Sequence, residues 1–242
     1  MEDRLSRMRL MVGEKALKRL HQAHVLVAGC GAVGGFVVEA LARSGVGHLT
    51  IVDNDIVSIT NINRQLVALH STIGQKKVFV ARQRVLDIAP DIQVDVIDQL
   101  INAKSVQNIL ACRPDFVIDA IDSLNPKVCL IEALVSENIP FVSSMGAAMK
   151  TKPELVRVAQ MKDSYQCPLA AFIRKRLRRR NIALDFPVVY SPEKPDKACL
   201  KMPENAQQEL GRVRHEMGSL PTLTGIFGLT AAQVALDYFI KN

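Results

Sequence analysis

The strongest constraint in this sequence is a glycine triplet set between an apolar run and a helix-like run. Residues 24–29, HVLVAG, read as a buried strand. Gly29, Gly31 and Gly34 then follow in the order G-x-G-x-x-G, and AVGGFVVEALARSG continues as a helix. HLTIVD forms a second strand that ends at Asp53, which completes a βαβ unit. The glycines permit a tight turn and let a phosphate approach the backbone, while the helix N-terminus favours negative charge. Asp53 stands where an acid reaches a ribose hydroxyl. Tight strand–helix packing without a ligand also accounts for glycines. The full strand–turn–helix–strand context favours a nucleotide.

The alternation continues along the chain. Residues 76–89 read as a helix stopped by Pro90, IQVDVID as an alternating strand, and Asp115 to Asp119 as a short apolar strand. PKVCLIEALVSEN is helical, with Pro126 suited to its first turn, and IPFVSS is the next strand. This order predicts an α/β fold, a Rossmann-like and mostly parallel sheet with helices on both faces. After Gly146 the pattern loosens. LVRVAQM reads as an added strand. Pro168 to about Arg180 reads as an amphipathic helix with Leu169, Phe172, Ile173 and Leu177 on its apolar face. Residues 187–221 hold five prolines and read as an irregular excursion, before a closing helix near 222–240. The expectation is one domain over residues 1–242. Its nucleotide-binding core is about 20–150, and about 151–242 form a substrate-side, partly irregular C-terminal extension.

A glycine-rich turn does not by itself separate a nicotinamide dinucleotide from ATP. The residues beyond it do. DNDIVSITNINRQ gathers Asp53, Asp55, Asn61, Asn63, Arg64 and Gln65, and Lys77 opens the next helix. A nicotinamide site needs no such cations, whereas a triphosphate under attack at its α-phosphate does. Surface solvation is the ordinary role of an Arg or a Lys. Placement beyond the carboxyl ends of the strands favours the phosphate role, and both residues are expected to be partly exposed. Asp119 is read as a cap at its strand end. Asp122, in the following turn, is read as holding Mg²⁺ or a phosphate, the alternative being a cap on the helix near Pro126.

Composition narrows the partners. The formal charge of +7 fits a polyanion or merely a solvated basic surface. Arg174, Lys175, Arg176, Arg178, Arg179 and Arg180 crowd one helix and pose the same choice, an RNA backbone or a solvated face. The absence of Trp argues against an aromatic platform for single-stranded nucleic acid. The five cysteines contain no C-x-x-C pair, which predicts reduced thiols in a cytoplasmic protein and no structural zinc. Cys30 reads as a small packing residue, and Cys167 and Cys199 as inert thiols. The charged N-terminus does not resemble a secretory signal, and the late apolar stretch carries Pro221, Gln233 and Asp237, so no integral membrane segment is expected.

Taken together, RLSR, GCGAVG, GVGHLTIVDNDIVSITNINRQ, GQKK and DAIDS resemble the ThiF/MoeB family, relatives of the ubiquitin-activating enzymes. The resemblance implies an enzyme in which a carboxylate attacks ATP, giving an acyl-adenylate and pyrophosphate. It places ATP contacts on Gly31, Asp53, Asn61, Arg64, Lys77 and Asp122. It also matches Arg7 to an arginine that reaches the partner subunit's ATP, which implies a homodimer. SSMGAAMK, CPLAAFIRKRLRRR and VVYSPEKP are similar to the tRNA threonylcarbamoyladenosine dehydratase branch. That branch is implied to adenylate the carboxylate of a modified adenosine beside the tRNA anticodon and to cyclise it with loss of AMP. The alternative is activation of a sulfur-carrier protein's C-terminus, which would involve sulfur-transfer or redox partner proteins. A third reading is a nucleotide-binding module that lends a basic surface to an RNA complex, and Arg64, Lys77 and Asp122 weigh against it.

Overall fold

The computed structural model describes residues 3–201 and 216–241. The chain opens with helix α1 (Ser6–Gln22), bent at Gly13, and enters strand β1 (His24–Ala28). Helix α2 (Gly34–Arg43) and strand β2 (His48–Val52) complete the expected βαβ unit. Then come α3 (Lys77–Ile88), β3 (Gln93–Ile97), a short α4 (Val106–Leu110), β4 (Phe116–Asp119), α5 (Leu124–Ser136) and β5 (Phe141–Ser144). The last part adds β6 (Arg157–Gln160), α6 (Pro168–Arg179), β7 (Pro187–Tyr190), β8 (Leu200–Lys201), β9 (Glu216–Met217) and α7 (Pro221–Lys241).

Seven strands form one sheet in the order β3-β2-β1-β4-β5-β7-β6. All neighbours are parallel except β6, which runs antiparallel to β7 at the edge. The sheet is covered on both faces, so its inner strands are mostly apolar and their residues alternate between two cores. Val25 and Val27 of β1 face the core built by α1, α2, α3 and α7. Leu26 and Ala28 face the core built by α4, α5 and α6. Strand β3, at the free edge, keeps one partly exposed face and so shows the alternation read in its sequence.

The C-terminal part departs from the sequence reading. Residues 187–190 are not irregular: β7 lies inside the sheet, between β5 and β6, with Val188 and Val189 buried. Pro187 is tolerated because it is the first residue of the strand. Residues 202–215 of the expected excursion lie outside the described residues. On α6 the inner face is Ala170, Ile173 and Leu177, whereas Phe172 is exposed, contrary to its assignment to the apolar face. Helix α7 is long and apolar enough to cross a membrane by length and composition. Here it packs on α2 and the sheet, burying Leu223, Phe227, Ala231 and Ala235 in the core. The two helices approach so closely at Gly228 that a Cβ there would sit 2.5 Å from the Val33 carbonyl oxygen.

Candidate active site

The β-strand order reverses between β1 and β4, and a cavity of about 570 Å³ opens beyond the carboxyl ends of β1, β2, β3 and β4. Such a switch point is where open α/β sheets bind ligands, and the volume suits a nucleotide. The turn after β1 forms its floor. The Gly29 N–H donates to the Val52 carbonyl at 2.7 Å, and the Gly29 backbone has a φ of 92°, which disfavours any side chain. A Cβ on Gly34 would stand 1.8 Å from the Gly29 carbonyl oxygen, so the turn and α2 close only with glycine there. At Gly31 the same position meets only Gln65 Nε2, at 3.9 Å, leaving the backbone open to the cavity.

Asp53 stands just beyond β2 and holds this turn together. One carboxylate oxygen accepts from the Cys30 N–H at 2.6 Å and the other from the Asp55 N–H at 2.8 Å. Cys30 is fully buried, and burial together with Asp53 pushes its thiol up to about 12, which fits a packing residue. Asn61 caps a 3₁₀ turn by accepting from the Ser58 N–H at 3.1 Å. Arg64 is held at the rim by the Thr60 carbonyl at 2.8 Å and Asn63 Oδ1 at 2.9 Å.

The structure brings Gly29, Gly31, Asp53, Asn61, Arg64, Lys77 and Asp122 to the wall of this one cavity, with Gly34 packed beneath it. Lys77 departs from the expectation of partial exposure: its side chain is only 5% exposed and its ammonium meets Asp55 Oδ2 at 2.7 Å. The antiparallel bridge between Ile56 and Lys76 tucks the start of α3 under the loop, which buries the lysine stem. Asp122 is exposed and has no hydrogen-bond partner among the described residues. It does not cap α5, whose N-cap position is Ser123 and which carries no side-chain cap. Three carboxylates therefore line the cavity, those of Asp53, Asp55 and Asp122, against the two cations of Arg64 and Lys77.

Arg7 is not at this cavity. It is exposed near the start of α1 and has no partner among the described residues. Leu10 and Met11, one turn further, are 87% and 84% exposed. In the basic run, Arg174 donates to Ser164, Arg176 to Asn125 and Arg180 pairs with Glu132. Half of the run is thus tied to the fold, and Lys175, Arg178 and Arg179 remain exposed without such ties.

Sequence reasoning missed one group beside the cavity. Asp119 is not a simple strand-end cap: it is fully buried and pairs with the fully buried Lys127 at 2.7 Å. Ser143 Oγ donates to the same Asp119 oxygen at 2.5 Å. Burial drives the Lys127 ammonium below the ordinary lysine range, and the Asp119 carboxylate opposes that drift. The cue in the sequence is a lysine early in a largely apolar helical run.

Comparison with known proteins gives concordant matches. The family model described as the ThiF family matches residues 3–242. A Bacillus subtilis relative, named tRNA threonylcarbamoyladenosine dehydratase, is 38% identical over 211 residues, covering 87% of this chain and 82% of that protein. A Haemophilus influenzae protein of the same name is 40% identical over 241 residues, covering 94% and 89%. The crystal structure of the E. coli tRNA N6-threonylcarbamoyladenosine dehydratase in complex with ATP superposes with a TM-score of 0.88 at 32% identity, covering 98% of this chain and 94% of that one.

Proposed function

The chain belongs to the ThiF family, and on that premise we propose that it is an ATP-dependent tRNA threonylcarbamoyladenosine dehydratase. The observation that carries this reading is the cavity itself, in which an open glycine turn, Asp53, Asn61, Arg64 and Lys77 meet at the switch point of the sheet. Relatives with the same name, similar over nearly the whole chain, support the acceptor. A carboxylate is already ionised at neutral pH, so its attack on the α-phosphate needs alignment and charge neutralisation and no general base. In this reading the backbone at Gly31 cradles the phosphates, Asp53 holds the ribose, and Arg64 and Lys77 offset charge as pyrophosphate leaves. The substrate's own nitrogen then attacks the activated acyl carbon. The ring closes and AMP departs, for a net loss of water.

The charge of the cavity calls for cations from outside the fold. Its three carboxylates outnumber its two cations before a triphosphate enters. The residues fit Mg²⁺ in the mode in which one or two carboxylates share the ion with phosphates and water. Asp122 offers such a carboxylate, and no group of three or more metal-binding side chains gathers among the described residues. Bound there, the ion would neutralise phosphate oxygens. Arg7 of a second subunit would supply a further cation, with the exposed Leu10 and Met11 docking beside it in a homodimer. The tRNA backbone would lie along Lys175, Arg178 and Arg179. The chemistry suits a cytoplasmic enzyme.

ATP–pyrophosphate exchange tests the acceptor. Exchange is expected with tRNA carrying threonylcarbamoyladenosine and not with sulfur-carrier proteins. Exchange driven by a carrier tail alone would replace this reading with the sulfur-carrier one.

A further inference from the structure

Asp119, Lys127 and Ser143 do not line the cavity, yet Asp119 is bonded to one wall of it. Residues Ala120, Ile121, Asp122 and Ser123 line the cavity between β4 and α5. Asp119, the residue before them, fastens this segment at both ends. Its Oδ1 accepts from the Ile121 N–H at 3.1 Å, which closes the near end. Its Oδ2 accepts from Lys127 at 2.7 Å, which anchors the first turn of α5 at the far end. Lys127 also reaches Ser143 Oγ at 3.3 Å, tying the same carboxylate to β5. The segment is pressed against the glycine turn as well, since a Cβ on Gly29 would lie 2.9 Å from the Ala120 carbonyl oxygen.

A pair of this kind is a poor way to gain stability. Removing both ions from water costs as much as their attraction returns, and an apolar pair of the same size often does as well. What the pair does supply is direction, because the ammonium, the carboxylate and the hydroxyl each accept only a few geometries. We infer that Lys127 is a positioning residue: through Asp119 and Ser143 it sets the Ala120–Ser123 segment, and hence the reach of Asp122 toward the β- and γ-phosphates of ATP. The inference rests on the proposed function, and it adds a role to three buried residues that do not line the cavity.

The test compares Lys127→Met, Lys127→Arg and Ser143→Ala with the wild type, in ATP–pyrophosphate exchange and in equilibrium binding of AMP and of Mg²⁺–ATP. AMP lacks the phosphates that Asp122 faces. Lys127→Met is expected to lower exchange kcat on the order of 10–100-fold, as losses of outer-shell partners do. It should weaken Mg²⁺–ATP binding and leave AMP affinity within about twofold. Lys127→Arg should recover part of kcat, and Ser143→Ala should reduce kcat less, with the same indifference to AMP. Equal losses of AMP and ATP binding would show a collapsed site and overturn the inference, as would unchanged kcat in folded Lys127→Met. If that variant does not fold, Ser143→Ala decides by the same two outcomes. A wild-type protein that shows no exchange with modified tRNA would refute the function instead, which separates the two failures.

Discussion

At the scale of single residues, Arg64 and Lys77 separate two effects that the sequence merged. Arg64 is partly exposed and bonds only to its own loop, so Arg64→Ala is expected to cut adenylation by roughly 10²–10³, the loss typical of one transition-state donor. Its melting temperature should hardly move. Lys77 is buried, so Lys77→Ala should lose rate by a similar factor and also lose packing of its stem. The melting temperature should then fall by about 2–4 °C per kcal/mol lost, as in proteins of this size. Thermal melts beside exchange assays check both. Near wild-type turnover of the two variants at saturating ATP would remove them from the site. Gly34→Ala tests the turn: the added Cβ overlaps the Gly29 carbonyl, so the backbone itself must shift. A loss beyond the roughly 1–3 kcal/mol of ordinary overpacking is expected in chemical denaturation.

At the scale of elements, α6 carries a surface whose role is decided by which of its cations are free. Replacing Lys175, Arg178 and Arg179 by Gln leaves the contacts of Arg174, Arg176 and Arg180 in place. If this face follows the tRNA backbone, each lost phosphate contact should flatten the salt dependence of binding by about 0.7–0.9 in log–log slope. ATP affinity should not change. An unaltered slope would make the run a solvated face. The thiols give a second test at this scale. Cys167 is buried before α6 and Cys199 is exposed beside β8, and no disulfide joins the cysteines among the described residues. The double Ser variant should still form product, because in the proposed mechanism the substrate's own nitrogen closes the ring. A covalent acyl or persulfide adduct trapped on either cysteine would favour the sulfur-carrier chemistry.

At the scale of the whole molecule, the cavity is short of positive charge, which makes assembly and metal part of the same question. Activity should require Mg²⁺ and survive zinc chelators, measured as product formation after each treatment. Subunit mixing tests the trans arginine. Arg7→Ala and Arg64→Ala, each inactive alone, should regain partial activity after exchange, since a mixed dimer keeps one intact site and one with both defects. Arg64 is the better partner here because its partial exposure leaves the fold undisturbed. No recovery despite demonstrated exchange would return Arg7 to its own subunit or remove it from catalysis.

The parts determined by the sequence alone are those governed by local periodicity and by backbone restriction. The glycine turn, β1 to β6 and helices α2, α3, α5, α6 and α7 follow from strand runs, helix stops and the steric demands at Gly29 and Gly34. Gly29, Gly31, Asp53, Asn61, Arg64 and Asp122 were legible because they lie in the loops beyond the carboxyl ends of β1, β2 and β4, whereas Gln99, Leu100 and Ile101 beyond β3 carry no chemistry that would single them out. Tertiary structure decided the rest. Whether PVVY is a loop or an interior strand depends on β5 and β6 pairing with it, which no local pattern records. The burial of Lys77 depends on the loop that folds over α3, and its partner Asp55 lies 22 residues away. The Asp119–Lys127–Ser143 group joins two strands and a helix, so its members look like unrelated polar residues until the sheet is assembled. Burial and charge pairing are properties of the packed chain: the surrounding fold sets the dielectric and the distance, and both must be known before a charge can be assigned a role.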